Sequence, residues 1–298
     1  MGDDAAVWRP RPGYETILTC DWFLEGTHFW ADQHPPDSVA WKCLARAVSD
    51  IAAMGGEPRS FLLSLALPAK RVGNWLEKFL FALRRAARTL NCPIAGGDTT
   101  QSDQILINIT VVGECKRGRV ILRSGARPGD AIFVTGRLGE AEYGLRLMKD
   151  GAKANQRDPR LRKHLCPEPR LTAGLWLAER CLATAMMDLS DGLSTDLPRL
   201  CKASNVGARI EERGLPQVRV AGKDAKLALR ATQLALHGGD DYELLFTVAK
   251  KDLKCIPGRI RAVPITRIGN ITSKRQIVLA RQNGLFEELK SKGWDPFR

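Results

Sequence analysis

The chain has 298 residues, is 44% apolar and 27% charged, and carries a formal net charge of +13. That length suits two globular domains, and no run approaches the ~20 apolar residues that span a bilayer. With no basic start leading into an apolar stretch, the expectation is a cytoplasmic protein that makes no use of a membrane.

The eight cysteines are scattered and form no Cys-x-x-Cys pair, which argues against a disulfide framework and against zinc. The basic excess invites a nucleic-acid reading. Its residues are dispersed, however, and the densest group, Arg84, Arg85 and Arg88, fits the wet face of an amphipathic helix. The acids instead gather in short clusters flanked by Gly or Ser. That pattern favours small phosphorylated ligands held through metal and predicts no nucleic-acid partner.

In chain order, Gly2-Asp3-Asp4 comes first. Adjacent carboxylates repel, so the pair is either a solvated end or a cation site. Ala5–Trp8 and Glu15–Cys20 read as strands around an Arg-Pro-Gly turn, the second running into Asp21 and Glu25-Gly26-Thr27-His28-Phe29. Asp37–Met54 is a helix with Val39, Cys43, Ala47, Ile51 and Met54 on one face. Asp50 lies near its carboxyl end, where the helix dipole disfavours a carboxylate, so a cation or hydrogen bond is expected beside it. Ser60–Leu67 is a strand stopped by Pro68, and Val72–Leu90 is a second helix. Pro93-Ile94 reads as a short buried strand leading to Ala95-Gly96-Gly97-Asp98-Thr99-Thr100, and Gln104–Glu114 as another strand. Taken alone, Gly-Gly-Asp is a turn; its glycines also let a backbone approach a ligand closely.

Ser124–Asp130 is polar and turn-rich, which places a domain junction there: residues 1–123 and 124–298. The second part opens with strand Ala131–Thr135 and helix Gly139–Lys149, then a charged loop or short helix over Asp150–His164 and a helix over Pro169–Cys181. A buried strand then runs into Asp188-Leu189-Ser190-Asp191-Gly192, with Ser194 or Thr195 capping the helix that reaches Ala203. Two carboxylates and a hydroxyl thus sit above a helix N-terminus, which is either capping chemistry or an anion site. Gly207–Glu211 is a strand, Lys223–Ala231 a short helix, and Gly239-Asp240-Asp241-Tyr242-Glu243 leads into strand Leu244–Val248. Ile265–Asn270 and Gln276–Ala280 complete the sheet, and Trp294 near the end either covers a pocket or packs on the surface. The whole is α+β, mixed α/β in two domains.

Turn chemistry explains any one of these acid clusters but not their joint placement at strand ends. Oxygen-only ligands suit Mg²⁺. No Gly-x-x-x-x-Gly-Lys-Ser/Thr loop and no protein-kinase signature is present. The implied design is a nucleotide triphosphate held by several Mg²⁺ ions, themselves held by aspartates.

Gly2–Val7, Glu25–Phe29, Ser49–Gly55, Gly96–Thr100, Arg123–Ala126, Asp188–Leu193, Gly239–Leu244 and the closing Gly293–Phe297 occur in this order. Together they resemble the thiamine-monophosphate kinase family of the aminoimidazole-ribonucleotide synthetase superfamily, over essentially the whole chain. The resemblance implies ATP-dependent phosphorylation of thiamine monophosphate to thiamine diphosphate by direct in-line transfer. It implies Asp4, Thr19, Asp21, Asp50, Asp98, Asp188 and Asp191 as Mg²⁺ ligands. Gly97, Asp98, Arg123 and Ser190 would contact ATP, and His28, Asp240 and Trp294 thiamine monophosphate. It leaves room for a monovalent cation, and it implies a homodimer in which the amino-terminal domains pair into a barrel, with a sandwich-like α/β carboxyl-terminal domain. Departures are the direct succession of Met1 and Gly2, Cys20 where the family usually has Thr or Ser, and Trp22 in place of a usual threonine. The alternatives are a sister enzyme acting on a ribonucleotide or on selenium or carbamoyl groups, a thiamine-phosphate-binding homologue without turnover, and a basic nucleic-acid binder.

Overall fold

The computed structural model describes residues 5–228 and 230–297. In the amino-terminal part β1 (Tyr14–Leu24), α1 (Pro36–Ala53), β2 (Glu57–Leu67), α2 (Asn74–Thr89), β3 (Ile94–Gln101) and β4 (Leu106–Lys116) follow one another. They build a four-stranded sheet in the order β1-β4-β2-β3. Period-two alternation sends Ile17 and Phe23 of β1 and Phe61, Leu63 and Leu65 of β2 to one face, where they bury against α1 and α2. Leu18, Trp22 and Leu62 point the other way and remain exposed.

The carboxyl-terminal part contains β5 (Ala131–Thr135), α3 (Glu140–Lys149), α4 (Pro159–Leu165), α5 (Leu171–Glu179), β6 (Ala183–Asp188), α6 (Leu193–Ser204) and β7 (Gly207–Glu211). It continues with α7 (Ala225–Ala228), α8 (Ala231–His237), β8 (Leu244–Val248), β9 (Arg259–Ile260), β10 (Val263–Thr272), β11 (Ile277–Ala280) and β12 (Phe286–Glu288). These strands form one mixed sheet, ordered β12-β11-β7-β10-β5-β8-β6 with β9 beside β10. Its central strands are buried on both faces. Ile132, Val134, Ala185, Met187 and Leu245 join one core layer, and Ala131, Phe133, Met186, Phe246 and Val248 the other. Ala52 and Ala53, at the end of α1, belong to that second layer. Helix α1 therefore joins the two halves, packing on the first sheet, on β6 and on α5.

Several expectations change. Ala5–Trp8 is not a strand; the chain there is exposed and unpaired. What fixes the lead-in is Arg11, whose backbone N–H and Nε reach the buried Glu114 carboxylate at 3.0 and 2.5 Å and whose Nη2 reaches Glu57 at 2.8 Å. β1 runs through Asp21 to Leu24, so Thr19 and Asp21 lie inside a strand rather than at its end. Gly96–Thr100 is neither turn nor strand end but part of β3, an edge strand parallel to β2, and Ile94 is exposed, not buried. A Cβ on Gly97 would fall 1.9 Å from the Leu63 carbonyl oxygen, so glycine there serves close strand pairing. Asp150–His164 holds a true helix, α4, capped by the Asp158 side chain accepting from Arg160 N–H at 3.0 Å. The single helix expected over Lys223–Ala231 is two short ones, with α8 continuing to His237.

Glu243 ties this half together. Its side chain is fully buried, accepts from Arg170 Nε and Nη2 at 2.6 and 2.5 Å and from Thr135 Oγ1 at 2.5 Å, and pairs with Lys163. Burial pushes its carboxyl up, yet Lys163 and Arg170 overcome this and hold it at about 2, below the usual 4.5. A carboxylate held low stabilises the fold above its unfolded pKa, and that contribution is lost as pH falls from about 4.5 toward 2. Glu243→Gln leaves two cations without a counter-charge and is expected to lower stability by about 3–5 kcal/mol at pH 7. Urea unfolding at pH 7 and pH 3 should show the gap between wild type and variant narrowing in acid.

Candidate active site

A cleft of about 790 Å³ opens between the two halves. Its floor is α1, whose residues 42, 46 and 50 recur every fourth position and make one polar stripe on an otherwise buried helix. Asp50 ends that stripe. Because side chains alternate along β1, Thr19 and Asp21 share the helix-facing side with Ile17 and Phe23, and Thr19 Oγ1 donates to Asp50 Oδ2. Cys20 faces the opposite side beside Asn108, so a hydroxyl at that position would not point toward Asp50. Ser49 Oγ donates to Asp188 Oδ2 at 2.7 Å, joining α1 to the end of β6.

The loops carrying Asp188–Asp191 and Gly239–Glu243 are zipped together by backbone. Asp240 N–H donates to Ser190 O at 2.7 Å, Tyr242 N–H to Leu189 O at 2.9 Å and Leu189 N–H to Glu243 O at 2.8 Å. Asp240 and Tyr242 adopt φ of 65° and 50° to do so, a left-handed geometry that is costly outside glycine. Gly192, not Ser194 or Thr195, precedes α6. Ser194 Oγ instead meets His237 Nδ1 at 2.8 Å, and Thr195 Oγ1 meets Ser291 Oγ at 2.9 Å. The carboxyl-terminal segment docks on the same loop: Trp294 N–H donates to Asp191 O at 2.9 Å. That brings the half-exposed indole within 6.4 Å of the His28 ring.

Asp21, His28, Asp50, Asp188, Ser190, Asp191, Asp240 and Trp294 all line the cleft. Thr19 stands behind Asp50. Gly97 and Asp98 lie on the exposed edge strand, outside the cleft lining. Arg123 is exposed and also outside the lining, though its charge is felt by Asp50. Asp4 lies outside the described residues. The composition of α1 held a signal for two further groups, Lys42 and Arg46, through their spacing from Asp50. Lys42, almost wholly buried, donates to Asp240 Oδ2 at 2.7 Å.

The electrostatics divide the cleft. On one side burial, and then the neighbouring Asp21 charge, raise the Asp50 carboxyl; burial, and then Asp50, raise Asp188. Asp21 is raised by burial as well, against the pull of Arg46. On the other side burial would raise Asp240, but Lys42 and Arg46 hold it well below the usual range. Burial, then Arg46, lower His28 to about 4, so its ring is neutral at pH 7. Leu24 N–H donates to His28 Nδ1 at 3.0 Å, which leaves the proton on Nε2.

Crowded, raised carboxylates are what a divalent cation relieves. Among the described residues no three His, Cys, Asp or Glu side chains close into one ligand set. Mg²⁺ needs no such cage, since it is commonly held by one or two carboxylates plus phosphate oxygens. The donor set fits a metal completed by a phosphorylated ligand.

Two family models match the chain: AIR synthase related protein, N-terminal domain, over residues 2–115, and AIR synthase related protein, C-terminal domain, over residues 127–281. The chain is 33% identical to the thiamine-monophosphate kinase of Bacillus subtilis strain 168, covering 100% of this chain and 93% of that one. It is 30% identical to the solved structure of AaThiL complexed with AMPPCP and TMP, with a TM-score of 0.83 over 100% of this chain and 92% of that one. The hydrogenase maturation protein HypE in complex with ATP has a TM-score of 0.81 at 20% identity, covering 99% of this chain and 90% of that one, a likeness of fold alone.

Asp50 has its pKa raised by folding, so its ionisation destabilises the apo fold, and this cost sets in as pH rises from about 4. Asp50→Asn is therefore expected to stabilise the metal-free protein at pH 8, at ~1.4 kcal/mol for each unit of raised pKa. The gain should vanish by about pH 3–4, and thermal unfolding across that range checks it.

Proposed function

Because the chain belongs to the AIR synthase related family and, within it, to the thiamine-monophosphate kinases, we propose that its cleft moves the γ-phosphoryl group of ATP onto thiamine monophosphate. The products are thiamine diphosphate and ADP. The observation that carries this reading is the division of one cleft into a side of crowded, raised carboxylates and a side built on Asp240 and His28.

Asp21, Asp50, Asp188 and Asp191, with Thr19 supporting Asp50, are the residues that would hold Mg²⁺. When bound, Mg²⁺ neutralises phosphate charge. Arg199 pairs with Asp191 and, at 2.8 Å, with Asp196, and so fixes the Asp191 loop. Ser190, above the N-terminus of α6, faces the nucleotide. His28, Asp240 and Trp294 orient thiamine monophosphate: a neutral Nε2–H donor, a carboxylate kept ionised by Lys42, and an aromatic face. An oxygen of the acceptor phosphate attacks the γ-phosphorus. The new P–O bond forms as the bond to the β,γ-bridging oxygen breaks, and that electron pair leaves with ADP. No side chain need act as base, since the acceptor oxygen is already anionic. Eight unpaired cysteines, and no described helix long and apolar enough to cross a membrane, support a cytoplasmic setting.

Gly97, Asp98 and Arg123 are assigned to ATP and its metal, and a second copy reconciles this with their place outside the cleft. β3 and β1 are the two edges of the first sheet, and Leu18, Trp22 and Leu62 are exposed on its outer face. Pairing β3 of one protomer with β1 of the other closes a barrel, buries those side chains, and brings the partner's strand carrying Asp98 alongside the strand that carries Thr19 and Asp21. The junction near residues 123 and 124 then separates an assembly half from a half that closes the cleft.

Incubation with ATP, Mg²⁺ and thiamine monophosphate should yield thiamine diphosphate. Consumption of another ribonucleotide without that product would overturn the reading. Asp98→Asn and Asp21→Asn should each cost ~10²-fold or more in turnover while leaving the fold intact. Co-refolding the two inactive variants should restore about a quarter of wild-type activity, because half the dimers are mixed and each mixed dimer keeps one complete site.

A further inference from the structure

Arg46 lies on the floor of the cleft between its two sides. The carboxylates it feels are Asp240 on one side and Asp21 and Asp191 on the other, with the Tyr242 phenol nearby. Its guanidinium lies 5.2 Å from the centre of the Phe23 ring. Nε and Nη1 are buried and have no hydrogen-bond partner. Of the acids around it, three are already engaged, and Asp21 accepts from neither Nε nor Nη1. Lys42 and Tyr242 take the two oxygens of Asp240 at 2.7 and 2.8 Å, Arg199 takes Asp191, and Thr19 takes Asp50.

A buried donor without an acceptor costs free energy, and a guanidinium cannot escape that cost by losing its proton. The arrangement makes sense if the acceptor arrives with the ligand. Guanidinium is matched to phosphate oxygens in charge and in donor geometry. The position between the carboxylate-rich side and the Asp240–His28 side is where the phosphate of thiamine monophosphate has to lie for its oxygen to face a γ-phosphorus.

We propose that Arg46 is a catalytic residue whose Nε and Nη1 donate to the acceptor phosphate of thiamine monophosphate, holding it in line for transfer. This rests on the kinase reading above. The guanidinium is then selective for the phosphorylated form of the substrate: thiamine itself offers it no acceptor and gains nothing from it.

The test compares wild type, Arg46→Met and Arg46→Lys in the presence of Mg²⁺, measuring the affinity for thiamine monophosphate and for thiamine by competition. Loss of charge-assisted hydrogen bonds is expected to weaken thiamine monophosphate about 10- to 100-fold in Arg46→Met, with thiamine changed less than about twofold. Arg46→Lys, which keeps the charge, should fall between. Arg46→Met also removes a positive charge felt by Asp21 and Asp240, so the ligand-free melting temperature is measured beside the affinities, and the loss of thiamine monophosphate binding should remain selective even if that temperature falls. Equal weakening of both ligands, unchanged binding of thiamine monophosphate, or a fall in melting temperature accompanied by loss of both affinities would overturn the proposal. Failure of the kinase reading is seen separately, as wild-type protein that makes no thiamine diphosphate.

Discussion

Like charges buried at the meeting of two sheets are the constraint around which this molecule is arranged. Asp21 and Asp50 come from the first sheet and its helix, and Asp188 from the second sheet. Burial raises all three, the Asp21 charge adds to the rise of Asp50, and Asp50 adds to that of Asp188. Hydroxyl donors, Thr19 to Asp50 and Ser49 to Asp188, moderate that repulsion without cancelling it. A protein built only for stability would replace such a cluster with apolar groups. Its presence on a helix that joins both cores fits the proposed reading, in which the stability forgone here is regained when cations and phosphates enter.

The opposite wall follows the contrary rule. Lys42 and Asp240 neutralise one another, and Tyr242 completes the carboxylate's bonds, so this side is pre-organised before any ligand arrives. The backbone accepts two left-handed residues, Asp240 and Tyr242, in exchange for bonds to the Asp188–Asp191 loop. Strain of this kind persists only where surrounding contacts over-determine it, and Glu243, anchored by Arg170 and Lys163, supplies that rigidity one residue further along.

Much of this was legible in the sequence. Periodicity located α1, α2 and most strands, and the acid clusters of β1, α1, the Asp188 loop and the Asp240 loop do meet in one cleft. What was not legible depended on the third dimension. The Gly96–Thr100 stretch looks like a turn because glycine and aspartate favour turns, yet parallel pairing with β2 overrides that preference. Lys42 and Arg46 were hidden because a charged residue on a helix reads by default as solvated. Their every-fourth spacing from Asp50 was the available clue, but its meaning needed a helix buried on nearly all sides. The capping role given to Ser194 failed because Gly192 takes the position before α6 and the hydroxyl is drawn to His237.

The edge strand β3 has one more consequence. An uncovered strand edge is a row of backbone donors and acceptors open to any extended chain, and proteins usually blunt it with charge, proline or a bulge. Here the blunting is done by composition: Gly96 and Gly97 lower the strand's own tendency to stay extended, while Thr99 and Thr100, further along, favour it. The edge is therefore soft at its start and firm at its end. Such an edge is a weaker template for an arbitrary extended chain than an unbroken run of strand-forming residues would be, so the glycines that permit close pairing with β2 also lower the hazard of the open edge.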